Sequence, residues 1–416
     1  MKQLFIILLL LIGLPSVAQQ SITLEECYQL VTENYPLAKQ SKLLEAQNKL
    51  EAEVIATSKL PQLSLDAQAT YQSDVIEFPL AMSGIEPLNK DQYRATVSVN
   101  QLIYNGGATE ASLNLKSAQL KTKQKQVEVS LYQLKQQINQ LFFSVLLAQE
   151  SQLLLKAKKA QLEAKLKEVQ SGIKYGIILP TSDKILEAEL LKVSQQFNEL
   201  KSNKVTLIET LSSLISQPLQ ASTTFQKPLI ETQLQTEIVR PELELFQLKK
   251  EEVENSETLL SKQNTPKLLG FATGGYGNPG LNMLDNSFQT FYTVGVKVNW
   301  TIFDWNANKK QRESLAINKD FIENETEIFK LNTNIVLNQQ QKEIDKIESF
   351  ITSDLEIINL RKDVLKSAES QLKNGVITSS AYITELTNLY EDENTMVKHH
   401  IQLQLAKANY NVIKGQ

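Results

Sequence analysis

The chain has 416 residues but only 14 glycines and 11 prolines, sparse punctuation for the roughly three domains of about 150 residues that its length would allow. Four stretches, 108–171, 181–217, 306–374 and 376–414, lack both residues and make up half the protein, so long uninterrupted helices are expected. A net charge of −4 and 42% apolar content exclude a basic nucleic-acid footprint and a polytopic helical membrane protein, and the single cysteine, Cys27, excludes a disulfide scaffold.

At the amino terminus, Lys2, the apolar run 4–12 and Ser16-Val17-Ala18 have the three regions of a secretory signal, so residues 1–18 are expected to be removed. Nine apolar residues are too few to span a bilayer, and no later stretch is long and apolar enough. Cys27 has no small-residue box in front of it, which disfavours a lipid anchor. The mature chain from Gln19 is expected to be exported, without a membrane helix.

An internal repeat organises the rest. Residues 97–108 align with 296–307 at five identities in twelve and an offset of 199. Lys174-Tyr175-Gly176 matches Lys373-Asn374-Gly375 at the same offset, while Pro36 and Pro61 match Pro241 and Pro266 at 205. The first repeat is placed at 19–217, a connector at 218–240 and the second repeat at 241–416, together one intertwined domain. Each repeat reads as helix, strand, loop, strand, long helix, tip and return helix, with amino-terminal helices expected over 24–60 and 241–265.

Strands are expected near 61–72, 93–105, 266–277 and 291–304 from alternation of apolar and polar residues, as in Leu63, Leu65, Ala67 and Ala69 against Ser64, Asp66, Gln68 and Thr70. The 64-residue stretch after Gly107 could form a helix of about 95 Å, which requires a coiled-coil partner. The stripe Leu131, Leu134, Ile138, Leu141, Val145 and Ala148 supplies the heptad spacing. Tips over 172–183 and 373–380 turn each long helix back.

Strands of about ten residues have the length of tilted outer-membrane strands. The windows 71–104 and 271–305 hold 12 of the 28 aromatic residues, both tryptophans included, a concentration that interfacial girdles would produce. A soluble sandwich layer would share the alternation; the export signal and the long helices favour the membrane. Four strands leave two open edges, whose unpaired backbone cannot face lipid, so several copies must close a barrel.

In this order and duplication, the segments Asn100-Gln-Leu-Ile-Tyr-Asn-Gly-Gly107, Trp300-Thr-Ile-Phe-Asp304 and Tyr175-Gly-Ile-Ile-Leu-Pro-Thr-Ser-Asp183 resemble the TolC family of outer-membrane export channels across essentially the whole mature chain. The resemblance implies a mostly α protein with a shared transmembrane β-barrel: a homotrimer of twelve strands, continuous with a helical tunnel in the periplasm. It implies a conduit of a tripartite efflux or type I secretion system, with a periplasmic adaptor and an inner-membrane transporter as partners. Gly176, Ile177, Ile178, Gly375, Val376 and Ile377 would then form the adaptor-contacting tips, and Asp183, Glu187 and Glu385 an acidic entrance gate. Acids that the family often carries six and nine residues after the second tip glycine are replaced here by Ala381 and Thr384. Arg94 and Lys297 fall on the polar strand faces, where they would line the lumen, and the 73–92 loop would lie outside the cell.

No catalytic, metal or cofactor constellation emerges. His399 and His400 point about 100° apart on a helix and are expected at the surface. Gly275-Tyr-Gly277-Asn-Pro-Gly280 matches a dinucleotide fingerprint literally, but no apolar helical stripe follows it, so loop glycines at a strand end explain it better. The rival to a channel is an exported structural coiled coil or adaptor, which would need only one helical hairpin; an exported enzyme lacks a nucleophile motif.

Overall fold

A computed structural model of the chain describes residues 21–76, 87–232 and 237–416. The expected signal at 1–18 and the middle of the 73–92 loop, with Phe78-Pro79, lie outside the described residues. In chain order the elements are β1 (Ser21–Ile22), α1 (Leu24–Asn34), a 3-10 turn (Pro36–Ala38), α2 (Lys39–Thr57), β2 (Gln62–Tyr71), β3 (Asp91–Tyr104), α3 (Ala108–Lys174), α4 (Ser182–Leu214), β4 (Thr224–Phe225), α5 (Pro241–Ser261), β5 (Lys267–Asn278), β6 (Gln289–Asn299), α6 (Ala307–Lys373) and α7 (Ser379–Lys414). The two long helices, α3 and α6, have 67 residues each.

The expected helix over 24–60 is interrupted. Tyr35 is extended at φ −59° and ψ 139°, because the pyrrolidine of Pro36 disfavours a helical residue before it, and the chain restarts at Lys39. Its repeat partner Pro241 begins α5 instead. The fourth strand stops at Asn299, short of 304: the Trp300 indole donates to the Asn264 carbonyl (3.1 Å), and Trp305 and Asn306 take positive φ at the entry to α6.

The chain divides into two compact units. One holds Gln40–Gln126 and Glu244–Glu327, the other the chain up to Lys39, Val127–Leu243 and Ile328–Gln416. Each sequence repeat supplies segments to both.

The first unit contains an antiparallel four-stranded sheet of order β2-β3-β5-β6. Its register sorts most of the side chains by polarity, with Leu269, Phe271 and Phe291 among the apolar residues on the polar side. One face carries Leu63, Leu65, Ala67, Ala69, Tyr93, Ala95, Val97, Val99, Leu268, Ala272, Tyr276, Tyr292, Val294, Val296 and Val298; the other carries Ser64, Asp66, Gln68, Arg94, Thr96, Ser98, Thr273, Thr293 and Lys297. On the polar face, the Ser98 and Thr273 hydroxyls meet at 3.1 Å. Glycines there admit aromatic rings from the facing strand: a Cβ on Gly275 would stand 2.4 Å from the Phe291 ring, and one on Gly295 2.7 Å from the Phe271 ring. Gly275 and Gly277 are thus strand residues within β5, not the loop glycines expected.

The second unit holds all three apolar core clusters found among the described residues. In the largest, Ile138, Phe142, Phe143, Val145 and Leu146 of α3 pack with Ile208 and Leu211 of α4, Val31 of α1, Phe225 of β4 and Ile401 of α7. Cys27 lies inside it, and burial pushes its thiol up to about 12, which leaves it unreactive at neutral pH. The Gln149 side chain bonds both backbone groups of Phe225 at 3.2 Å, tying the connector to α3. A second cluster joins Leu155, Leu162 and Val169 of α3, a seven-residue ladder, to α4, α6 and α7.

Phe142 is fully buried and its ring meets Phe143 and Phe225. Phe142→Ala is expected to cost about 3–5 kcal/mol, read as a lowered unfolding midpoint followed by far-ultraviolet circular dichroism.

Candidate functional site

Two regions collect the residues singled out in the sequence, one in each unit. In the helical unit, α3 and α6 end in the same device. Gly176 and Gly375 both adopt φ +71°, the left-handed conformation that costs a side-chain-bearing residue energy. The Ile177 N–H donates to the Gly172 carbonyl (2.9 Å) and the Gly176 N–H to Ile173; the Val376 N–H donates to Gln371 (2.8 Å) and the Gly375 N–H to Leu372. Each is the paired-bond termination that a glycine just past a helix end permits.

That turn sorts the apolar tip residues. Ile178 and Ile377 fold back onto the second core cluster, whereas Ile177 and Val376 remain exposed, 60% and 71%. Tyr175 and Leu179 stand out beside Ile177, so the exposed apolar surface is larger than the sequence list; the run Tyr-Gly-Ile-Ile-Leu held the signal. The return helices begin differently. Thr378 accepts a capping bond from the Ala381 N–H (3.3 Å), while Thr181, also β-branched, sits at φ 79° with no side-chain cap.

The three acids of the expected entrance gate do not meet one another among the described residues. On α4, the Lys184 ammonium lies 2.9 Å from Glu187 and 3.6 Å from Asp183, and the bond to Glu187 holds Lys184 above the usual lysine range. On α7, Glu385 faces Arg361 of α6 at 3.5 Å, and that guanidinium also binds Asp392 at 3.0 Å. All three carboxylates therefore carry a cationic partner.

Two lysines that the sequence reading passed over hold more buried positions. Lys158 of α3 contacts Glu189 of α4 (3.0 Å), Thr387 of α7 (3.3 Å) and the Tyr390 ring. One heptad further, Lys165 bonds Glu369 of α6 (2.6 Å) and Glu168 (2.7 Å) beneath the Tyr382 ring. One heptad before Lys158, Ser151 bonds Asn394 of α7 (2.9 Å). Only the seven-residue spacing could have exposed this ladder, because a lysine-rich segment otherwise reads as solvated. His399 departs from its expected surface role: half-buried, its Nδ1 lies 2.6 Å from Asp354 Oδ2, beside Phe350. Among the described residues no group of His, Cys, Asp or Glu could hold a metal, and no helix is long and apolar enough to cross a membrane.

In the sheet unit, Arg94 and Lys297 share the polar face. The Arg94 guanidinium lies over the Phe291 ring at 5.7 Å, and Lys297 stands opposite Leu269 at the other end of the strands. The apolar face is largely uncovered: Leu63, Leu65, Tyr292, Val294, Val296 and Val298 are 63–79% exposed. On the polar face Arg94, Thr96, Ser98 and Thr273 of the two central strands are half-buried, while Ser64, Asp66, Gln68, Thr293 and Lys297 of the outer strands are exposed. Tyr71, Tyr93, Tyr276 and Tyr292 line the loop end of the apolar face; exposed Tyr104, Trp300, Phe303 and Trp305 follow the other end. Tyr292 and Trp300 are separated by about 27 Å of strand, or about 20 Å of height at the usual barrel tilt, close to the apolar band of an outer-membrane barrel.

Solved structures share this architecture. CusC, whose structures follow transmembrane channel formation, superposes with a TM-score of 0.67 over 94% of this chain and 92% of its own, at 9% identity. The outer-membrane protein VceC of Vibrio cholerae matches at 0.66 over 94% and 96%, with 13% identity, and the outer-membrane channel CmeC of Campylobacter jejuni at 0.66 over 94% and 85%, with 15%. No protein-family model and no curated protein matches the sequence. The likeness is one of fold: the chain has the TolC-like channel fold that the sequence resemblance implied.

Lys158 and Glu189 are both largely buried, and removing Lys158 leaves Glu189 only the exposed Lys192 at 3.9 Å. Lys158→Met is expected to destabilise the packing of α3 on α4 and α7 by about 3 kcal/mol, read as faster amide hydrogen exchange over 155–170 than in the native chain.

Proposed function

We propose that this protein is the outer-membrane channel subunit of an efflux or secretion system, a passive conduit from the periplasm to the exterior that performs no chemistry. The observation that carries the reading is the sheet's exposed apolar face, belted by aromatics at both ends, opposite a polar face that is half-buried only on its central strands. A soluble sheet does the opposite, because apolar surface moved from water into hydrocarbon gains about 1.5–3 kcal/mol per large aliphatic side chain. Shared fold with outer-membrane channels at 94% coverage supports it.

Assembly follows from the edges. β2 and β6 each have one unpaired side, and unpaired backbone in lipid costs several kcal/mol per group, so copies must pair β2 with β6 of the next chain until the sheet closes. Three copies, twelve strands, is the number that the resemblance implies. The polar face, with Arg94 and Lys297, then lines the lumen. At the helical end, the exposed Ile177 and Val376 with their glycines would dock a periplasmic adaptor that links the channel to an inner-membrane transporter, and opening would occur at these tips. Asp183, Glu187 and Glu385 would stand near that entrance with their charges shared with Lys184 and Arg361.

Adjacent residues of β2 provide the test. Leu65→Arg places a charge on the apolar face, at a cost of about 2–4 kcal/mol per chain near the midplane, and is expected to abolish recovery of the protein in outer-membrane fractions. Ser64→Arg, one residue away on the polar face, is expected to insert normally; equal behaviour of the two would defeat the membrane reading. For the tips, a photo-crosslinking residue at Ile177 or Val376 is expected to capture a periplasmic adaptor in intact cells, and a probe at Asn89 in the loop is expected to capture none.

A further inference from the structure

The polar face of the sheet carries four charged side chains, and they are not distributed evenly. Asp66 and Arg94 are diagonal neighbours near the loop end: Asp66 pairs with Thr96, Arg94 with Gln68. Their charges offset one another. At the end where the strands join α5 and α6, Lys267 pairs with Asn299 and Lys297 with Leu269, which makes the two lysines diagonal neighbours on adjacent strands. Neither makes an ion pair or a hydrogen bond to an acid among the described residues. The acid nearest in sequence to Lys297, Asp304, is engaged by the Asn264 amide (2.6 Å) and the Asn308 N–H (3.0 Å).

Like charges about 7–8 Å apart on one sheet face repel, and the arrangement is stable only where water or anions reach it. With the pore reading as premise, on which this inference rests, closure of the sheet repeats the pair around the symmetry axis and makes a ring of unbalanced positive charge inside the barrel. The acids expected to attract cations at the entrance are offset only in part, since Lys184 is shared by Asp183 and Glu187 and Arg361 by Glu385 and Asp392. We infer that the channel prefers anions, with Lys267 and Lys297 as the residues that set the preference, and that its cargo class is anionic solutes. A charged ring in a low-dielectric wall concentrates counter-ions and repels co-ions.

The experiment is a planar-bilayer recording of the purified full chain under a potassium chloride gradient. Discrete conductance steps report that a pore forms; their absence would defeat the pore reading itself. Given steps, the reversal potential is expected on the chloride side. Lys267→Gln with Lys297→Gln is expected to lower the chloride-over-potassium permeability ratio by about tenfold, and the arginine pair K267R/K297R to preserve it. Arg94→Gln is expected to move it less, since Asp66 already offsets that charge. A potassium-preferring native channel, or a preference that the glutamine pair leaves unmoved, would overturn the inference. If the glutamine pair does not insert, inorganic triphosphate decides on the native channel: block at lower concentration than spermine is expected, and block by spermine alone would overturn the inference.

Discussion

Water is a poor solvent for the face of the sheet that presents Leu63, Leu65, Val97, Val294, Val296 and Val298, side chains that are all 44–73% exposed. At about 1.5–3 kcal/mol for each large aliphatic side chain, transfer of this face into hydrocarbon is comparable with the whole stability of an ordinary domain. The same transfer makes the free backbone of β2 and β6 intolerable, because lipid offers no hydrogen bonds. Under the proposed membrane reading, one constraint therefore accounts for both the medium and the need for further copies. It also explains the polar face: once the strands curve toward one another, the inside must be wet, and the cross-strand hydroxyl bond of Ser98 and Thr273 and the phenylalanine-over-glycine contacts are what remains to hold the strands together there.

The helical unit solves a different problem with its own chain. It buries three apolar clusters of its own, while Leu153, Leu191, Leu355 and Leu360 stay exposed on its helices. Long parallel and antiparallel helices with uniform apolar seams can slide by a heptad at little cost. The ladder of Ser151, Lys158 and Lys165 opposes such slips, because each polar side chain finds its partner on a neighbouring helix at one register only. Burying Lys158 beside Glu189 adds little net stability against an apolar pair, but misaligning it would leave a charge stranded.

Features that depend on local periodicity were legible in the sequence. Alternation along 63–71 and 93–99 located two strands, the absence of glycine and proline located α3 and α6, and the repeated Gly176 and Gly375 located both helix ends. What escaped depended on partners far along the chain. Nothing near Glu385 announces Arg361 across the next helix, and nothing near His399 announces Asp354. The break at Pro36 is a local feature that the expected helix over 24–60 ran through, although its repeat partner Pro241 starts a helix and the residue before a proline disfavours helical geometry. The uses of Gly275 and Gly277 exist only across strand pairs, Gly275 giving room to the Phe291 ring of β6 and Gly277 a close approach to the backbone of Tyr93 and Arg94 in β3.

Duplication makes the two tips comparable as an internal control, and their differences are informative. Both end a long helix with the same glycine termination, so that feature is what the architecture demands. The return helices part ways at once: Thr378 caps α7, whereas Thr181 enters α4 in a left-handed conformation that a β-branched side chain adopts at a cost of about 1–3 kcal/mol. Asp183, Lys184 and Glu187 then form a charged cluster on the first return helix, while the second has Ala381 and Thr384 near its start. Strain and charge thus both concentrate at the first tip, on top of a turn whose backbone geometry the second tip reproduces without either. The turn itself requires neither, since Gly375 ends its helix in the same way with a capped, unstrained return helix behind it.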